Sequence, residues 1–458
     1  MYTYIKEQSK LDAVIPKLMG ELSWGTDTET TGLDPFTSDV LALQIGRPEE
    51  QFIIDARTVK LEPLRPFLES RKIMKILHNA KFDYKMLKKF NIEMEYVRDT
   101  MLAEQIMRAG FARFQGIGLE DVVEKRLGVK LDKSIRESFI NHTGDFTEKQ
   151  LDYMADDVRY LNPLAKADSD ELLAKGLAET FQLESDCVPA FADMEYEGMV
   201  LDVAAWREVL EKNKKRLLEV QAELDGIVEP YVGVNLFGEV QINYGSPVQV
   251  VKLLQMMKFK VKQYNRETRT EIEEEIKKSD KKTLQKLQGI PIVQMLQKWR
   301  SYEVRINTFG EPYIQAIHPK TGKLHPDFWQ IGTGTGRPAA GAEGDVNPLN
   351  VPRDNEYRNC FTGGPDELVE SDDYSGCELR ILAEISGDPK MREIFNKGED
   401  PHCAVATELY RVPVTKKNEN KRLRTPGKSL NFGWRKLSRN QTHSIQGNPN
   451  FLIRKGQS

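Results

Sequence analysis

LSWGTDTETTGLDP, residues 22–35, decides what fold the first third of this chain adopts. It reads as a strand from Leu22 to Thr28 that runs into a turn rich in Thr, Gly, Asp and Pro. Side chains two apart on a strand share a face, so Asp27 and Glu29 project together at its end. DVLALQIGRPEEQFIID (39–55) follows as two apolar segments around a polar turn, hence two more strands. KILHNAKFDYKML (75–87) then puts Asn79 and Asp83 four apart at a strand-to-helix transition. TEKQLDYMADDVRYLNPLAKA (147–167) is helical, with Leu151, Met154, Val158 and Leu161 on an apolar stripe. Within it Tyr153 and Asp157, also four apart, share one face.

Composition bounds the rest. With 458 residues, the chain has room for two to four domains, each with its own core. It is 39% hydrophobic and 30% charged, the balance of a soluble globular protein, and its formal charge of −4 carries no bulk signal for nucleic acid. Cys187, Cys360, Cys377 and Cys403 are scattered without a CxxC pair, which argues against a disulfide framework or a zinc site and fits a reducing compartment. The start, MYTYIKEQSKLDAVI, has no signal-peptide core, and no apolar run is long enough to span a membrane. The expectation is a cytoplasmic protein with no membrane partner.

A DxE pair alone is usually a solvated turn, and a Tyr–Asp pair at i, i+4 is usually helix surface. Their order changes the reading: a strand-borne Asp27-Thr28-Glu29, then Asn79 with Phe82-Asp83, then Tyr153 and Asp157 on a later helix. This resembles the three-motif pattern of the 3′–5′ proofreading exonucleases, which have an RNase H-like α/β fold, over roughly residues 1 to 175. The resemblance implies that Asp27, Glu29, Asp83 and Asp157 hold two Mg²⁺ ions, with Mn²⁺ as an alternative, and that Tyr153 orients the attacking water. Two such ions about 3.5–4 Å apart activate the water and stabilise the leaving 3′ oxygen. Hard cations want oxygen donors and Mg²⁺ keeps several waters, so a few carboxylates suffice. His78 and Asn79 read as structural hydrogen-bonders. Every motif member is present, so this part is expected to be catalytically intact.

Further along, LESDCVPAFADMEYEGMVLD (183–202) has helical spacing and stops at Gly198, expected to be left-handed. EYEGMVLD is similar to the segment that opens the polymerase half of family A DNA polymerases, which puts a boundary near residues 175 to 190. From Val203 to Ile227 the pattern is a long amphipathic helix, and Ser246-Pro247 reads as an N-cap followed by proline at the first helical position. TEIEEEIKKSDKKTLQKL (270–287) reads as a mixed-charge helix. Long paired helices here resemble the thumb that grips duplex DNA in that family, through phosphate contacts that carry no sequence information.

FWQIGTGTGRPAA (328–340) precedes NPLNVPRDNEYRNCF (347–361), and ELVESDDYSGCELRILAEISGD (367–388) reads as a strand, Val369 to Tyr374, followed by a helix. Asp373-Tyr374-Ser375 through Glu378-Leu379-Arg380 is similar to motif A of family A polymerases, DYSxxELR. The resemblance implies that Arg337 reaches the minor groove at the primer terminus and that Asp373 binds catalytic metals. It also implies that the Tyr374 backbone lies beside the incoming triphosphate and that Glu378 gates against a 2′-hydroxyl. Arg424, Lys428 and Phe432 lie at i, i+4, i+8, one helical face. They match motif B, RxxxKxxxF, in which the cations neutralise a dNTP and the ring stacks on the nascent pair. Thr425-Pro426 looks like an N-cap and first position, which would leave Arg424 just outside the helix. Asp400 and His402, in the preceding helix, read as structural.

Past Gly433, Lys436 and Leu437 stand where the family has Tyr-Gly, and Lys421 to Ser458 contains no Asp or Glu. The second polymerase carboxylate, motif C, is therefore not found. The fold class expected is an α/β RNase H-like exonuclease domain plus a C-terminally incomplete α+β right-hand polymerase domain. The division is 1–178 exonuclease and 179–433 partial polymerase (connector and thumb about 190–325, palm start and motif A about 326–388, partial fingers about 389–433). Residues 434–458 form a basic tail expected to be disordered. The function expected is two-metal 3′–5′ exonuclease activity and binding of single-stranded 3′ ends or primer-template DNA, with a polymerase site that begins but is not finished. Two alternatives stay open: one half of a split polymerase completed by a second polymerase chain, and a non-catalytic DNA-binding fragment.

Overall fold

The computed structural model describes residues 2–108, 116–265, 270–287, 289–341, 346–364, 367–370 and 372–437; side chains of 263–265 and 432–437 are excepted. Six strands build the first sheet: β1 (Tyr2–Ile5), β2 (Ser23–Thr30), β3 (Val40–Arg47), β4 (Glu50–Asp55), β5 (Met74–Leu77) and β6 (Val97–Asp99). Their order is β1-β4-β3-β2-β5-β6. β3 is antiparallel to both its neighbours, β2 and β4, while β1–β4, β2–β5 and β5–β6 are parallel. The strands expected between Leu22 and Leu77 are all present, the first of them starting at Ser23 and running on to Thr30.

β2 sits at the centre of this sheet, and its register against β3 sets Asp27 opposite Gln44 and Glu29 opposite Ala42, with an irregularity between Glu29 and Thr30. The fully buried side chains of Trp24, Leu43, Ile45, Ile54 and Leu77 form the core beneath it. Across the other side lies helix Glu148–Arg159. A Cβ on Gly25 would stand 2.7 Å from the Val158 carbonyl oxygen, and one on Gly46 would stand 2.5 Å from the Val158 side chain. Only hydrogen at both positions lets the helix come this close to the sheet, and that approach brings Asp157 over β2.

Helix Glu148–Arg159 begins with a capping box: Thr147 accepts from the Gln150 N–H while the Gln150 side chain takes the Thr147 N–H. It stops at Tyr160, and Leu161–Ala174 follows as a second helix, so the long helical pattern of the sequence is two helices.

Residues 1–369 form one compact unit and 370–458 another. Within the first, helix Val203–Val232 packs along helix Pro291–Asn307 around Leu224, Val228, Leu253, Leu254, Leu296 and Trp299. At thirty residues it is about 45 Å long. Trp206 is wholly buried between Tyr313, stacked at 5.1 Å, and the edge of Tyr357 at 5.0 Å, and its indole N–H donates to the Gly310 carbonyl. Ser246 caps helix Pro247–Met256 by accepting from the Gln249 N–H, as its sequence predicts.

Other expectations are corrected. Thr270–Glu275 is a strand, paired antiparallel with Lys260–Asn265, and only Lys281–Gln285 of that stretch is helical. The register sets Lys260 opposite Glu275 and Lys262 opposite Glu273, so cross-strand charge pairing serves the sequence as well as helical pairing would. Gly198 has φ 67° and ψ −168°, a region reserved for glycine but not left-handed helical. Among the described residues, no strand covers Val369 to Tyr374. Leu368 and Tyr374 are almost wholly exposed there, because a strand needs a neighbour for its ladder and no described segment pairs with it. Helix Arg424–Leu437 does include Arg424, and Pro426 falls in its first turn, where its missing N–H has no intrahelical partner to lose. The helix runs four residues past Gly433; residues 438–458 lie outside the described residues. No helix among the described residues is long and apolar enough to cross a membrane.

Candidate active site

The end of a strand, the first turn of one helix and the last turn of another meet here. Asp27 and Glu29 come from β2, and Asp157 from helix Glu148–Arg159; one carboxylate oxygen from each lies within 4.8 Å of the others. Asp83, on helix Ala80–Lys88 and 2% exposed, accepts from the Thr28 N–H at 2.9 Å and the Thr28 hydroxyl at 2.6 Å. It is thus bonded to the residue between Asp27 and Glu29. Tyr153 stands one turn before Asp157, buried against Phe139.

The electrostatics are those of crowded, poorly hydrated acids. Burial first, then the charges of Asp83, Asp157 and Glu29, drives Asp27 well above the usual carboxylate range. Burial and Asp157 do the same to Glu29. Asp83 is pushed up to about 7 by burial, against the opposing pull of its Thr28 hydrogen bonds. Burial and three neighbouring carboxylates raise the Tyr153 phenol, so it keeps its proton. Such acids hold a proton or a cation. The donor set is oxygen only, clustered and half-buried, which fits hard divalent ions and not zinc held by nitrogen or sulfur.

Sequence reading missed four groups that hold this site together. Lys133 bonds the Asp157 carboxylate and the Tyr153 hydroxyl. Burial raises both Asp157 and Glu29, and Arg136 opposes that rise through space. Thr28 fixes Asp83. Asp99 accepts from the Asn79, Ala80, Met101 and Leu102 N–H groups, so it tethers the start of Asp83's helix and caps the next one. The Asp99-Thr100 step ahead of the apolar residues Met101, Leu102 and Ala103 was a legible N-cap signal; Lys133, in an irregular segment, carried none. His78 bonds Thr100 and the Ile117 carbonyl, and Asn79 is the left-handed residue before helix Ala80–Lys88.

The residues assigned to a polymerase site are divided between the two units. Arg337 is an exposed residue of the turn between Phe328–Trp329 and Ala339–Ala340, its N–H held by Thr333. In the second unit Asp373, Tyr374 and Glu378 are exposed, the last in the opening turn of helix Cys377–Ser386. Arg424 donates twice to Asp400, at 2.8 and 3.1 Å, and Lys428 is exposed one turn on. Asp400 also caps helix Pro401–Tyr410. The Phe432 side chain lies outside the described residues. Gly427 meets the His402 carbonyl so closely that a Cβ would stand 2.3 Å from it, which seats the Arg424 helix on Pro401–Tyr410. A cavity of about 810 Å³ in this unit is lined by Ser375, Arg380, Lys416, Lys417 and Arg424 among others.

Residues 2–172 match the family described as 3′–5′ exonuclease, and residues 208–435 match DNA polymerase family A. The chain is 28% identical to DNA polymerase I of Rhizobium leguminosarum over 387 residues, 81% of this chain and 36% of that protein. It is also 28% identical to DNA polymerase I of Aquifex aeolicus over 455 residues, 94% of this chain and 71% of that one. Against its counterpart in Chloroflexus aurantiacus it spans 45% of the relative's length. Among solved structures, one described as the POL domain of Pol1 from M. smegmatis in complex with DNA primer-template and dNTP superposes with a TM-score of 0.71. That match has 23% identity and covers 94% of this chain and 71% of that one.

Proposed function

Since the chain belongs to DNA polymerase family A and carries a 3′–5′ exonuclease domain, we propose that residues 1–178 hydrolyse the 3′-terminal phosphodiester of DNA. The observation that carries this is the convergence of Asp27, Glu29 and Asp157 within ligand distance of one another, with Asp83 bonded to the intervening Thr28. Divalent cations held by these four carboxylates would activate water and stabilise the departing 3′ oxygen. The protein's own groups do the rest. Tyr153, kept protonated by its acid neighbours, orients the water by hydrogen bonding and is no base. The glycines at 25 and 46 hold Asp157 over the sheet, and Thr28 keeps Asp83 beside its partners. Purified protein with Mg²⁺ should release nucleotides from the 3′ end of single-stranded DNA; no release, or release undiminished by Asp27→Ala with Glu29→Ala, refutes the assignment.

For residues 179–433 the reading is the thumb, motif A and motif B of a DNA-dependent DNA polymerase, with primer-template and dNTP as ligands. The M. smegmatis structure, whose title names both, supports it. The exposed Leu368–Tyr374 segment favours a further strand-bearing segment that pairs with it, in a longer polypeptide or a second chain, and that supplies the second polymerase carboxylate. Primer extension by this chain alone would refute that requirement.

A further inference from the structure

Lys133 belongs to none of the motifs, yet its ammonium bonds one of the site's acids, Asp157. It sits between helix Leu119–Leu127 and the short 3-10 turn Arg136–Phe139. Asp132 accepts the Ser134 N–H at 2.9 Å, a tight turn that presents the intervening side chain, and Phe139, 1% exposed, anchors the segment against Tyr153. From there the ammonium bonds an Asp157 oxygen, lies 3.2 Å from the Tyr153 hydroxyl and stands 4.6 Å from the centre of the Tyr153 ring. Its side chain is 19% exposed.

We infer that Lys133 is a positioning residue of the exonuclease reaction, fixing Tyr153 relative to Asp157 and competing with metal cations for the Asp157 carboxylate. The inference rests on the two-metal reading above. An ammonium that donates to the phenol oxygen fills one of its lone-pair directions, so the phenol proton points away from Lys133. The orientation of the water-directing group is therefore set by Lys133. The same ammonium is a unit charge at contact distance from a metal ligand in a half-buried site, where such interactions exceed those in bulk water several-fold.

Two measurements test this. Mn²⁺ affinity, read by electron paramagnetic resonance without DNA, should tighten by about tenfold in Lys133→Met and return to within about twofold of wild type in Lys133→Arg. In single-stranded DNA degradation, Lys133→Met should lower kcat with KM little changed, and should add no further loss in a Tyr153→Phe background. Unchanged Mn²⁺ affinity in Lys133→Met, or a full additional loss in the double variant, overturns the inference. Circular dichroism and thermal melts establish that each variant folds; if Lys133→Met does not, Lys133→Gln carries the same expectations. Wild-type protein that binds no Mn²⁺ at all refutes the two-metal reading itself, and the inference with it, whereas binding lost in Asp27→Ala but indifferent to Lys133 refutes the inference alone.

Discussion

Two sets of carboxylates in this chain share a family logic and differ in how they are held. Asp27, Glu29, Asp83 and Asp157 come from three elements and meet on a six-stranded sheet. Asp373 and Glu378 are exposed, the first on a segment without a strand partner among the described residues. A carboxylate cluster costs repulsion and lost hydration, so it persists only where the surrounding structure leaves its members no other place to go. The central strand, the two glycines and the capped helices supply that constraint in the first region. In the second, the motif is present in sequence but the sheet that would constrain it is not among the described residues.

The largest effect should come from the assembled site. Asp27→Ala with Glu29→Ala should reduce release of 3′ nucleotides about a thousandfold or more, measured on labelled single-stranded DNA with Mg²⁺. Tyr153→Phe, which keeps the ring and removes the hydroxyl, should cost on the order of ten- to a hundredfold in kcat. Asp99→Ala tests whether the constraint itself matters. Loss of a buried acceptor for four N–H groups should destabilise the first unit by about 2–4 kcal/mol in denaturant unfolding and weaken the exonuclease through Asp83. An unaltered exonuclease in that variant would break the account of why the first set converges.

A subtler effect lies under the same sheet. Lys75 is wholly buried, with its ammonium donating to the Ser70 and Ile73 carbonyls, and burial pulls it down to about 7 from its ordinary 10.5. Between those values the unfolded chain binds more protons than the folded one, so stability should rise with pH from about 7 to 10. The slope is at most about 1.4 kcal/mol per pH unit, and Lys75→Met should flatten it. The smallest expected effect is the control for the comparison. Asp373→Ala should leave exonuclease rates within about twofold, since Asp373 contributes nothing to the acid cluster on β2. A large loss there would mean that the two sets are coupled.

Sequence and structure agree most closely where chemistry and periodicity coincide. The alternation around Asp27 and Glu29, the i, i+4 pair of Tyr153 and Asp157, and the Ser246-Pro247 cap each name a local geometry, and each is present. The failures were non-local. Thr270–Glu275 carries as many charges as a solvated helix, and only the lysines of a facing strand decide that it is a strand. Val369–Tyr374 has strand character, but a strand is a property of pairs. Lys133 has no pattern around it, and its role follows only from where the turn at Asp132 sends it.

By itself, then, the sequence determined on what kind of local element each of the acids of the first region sits, because backbone periodicity and capping depend on near neighbours. The tertiary structure decided the rest: that Asp83 bonds Thr28, that two glycines let Val158 bring Asp157 onto β2, and that a lysine stands among the acids. Those are contacts between residues far apart in the chain, and only the packed sheet and helices bring them within bonding distance.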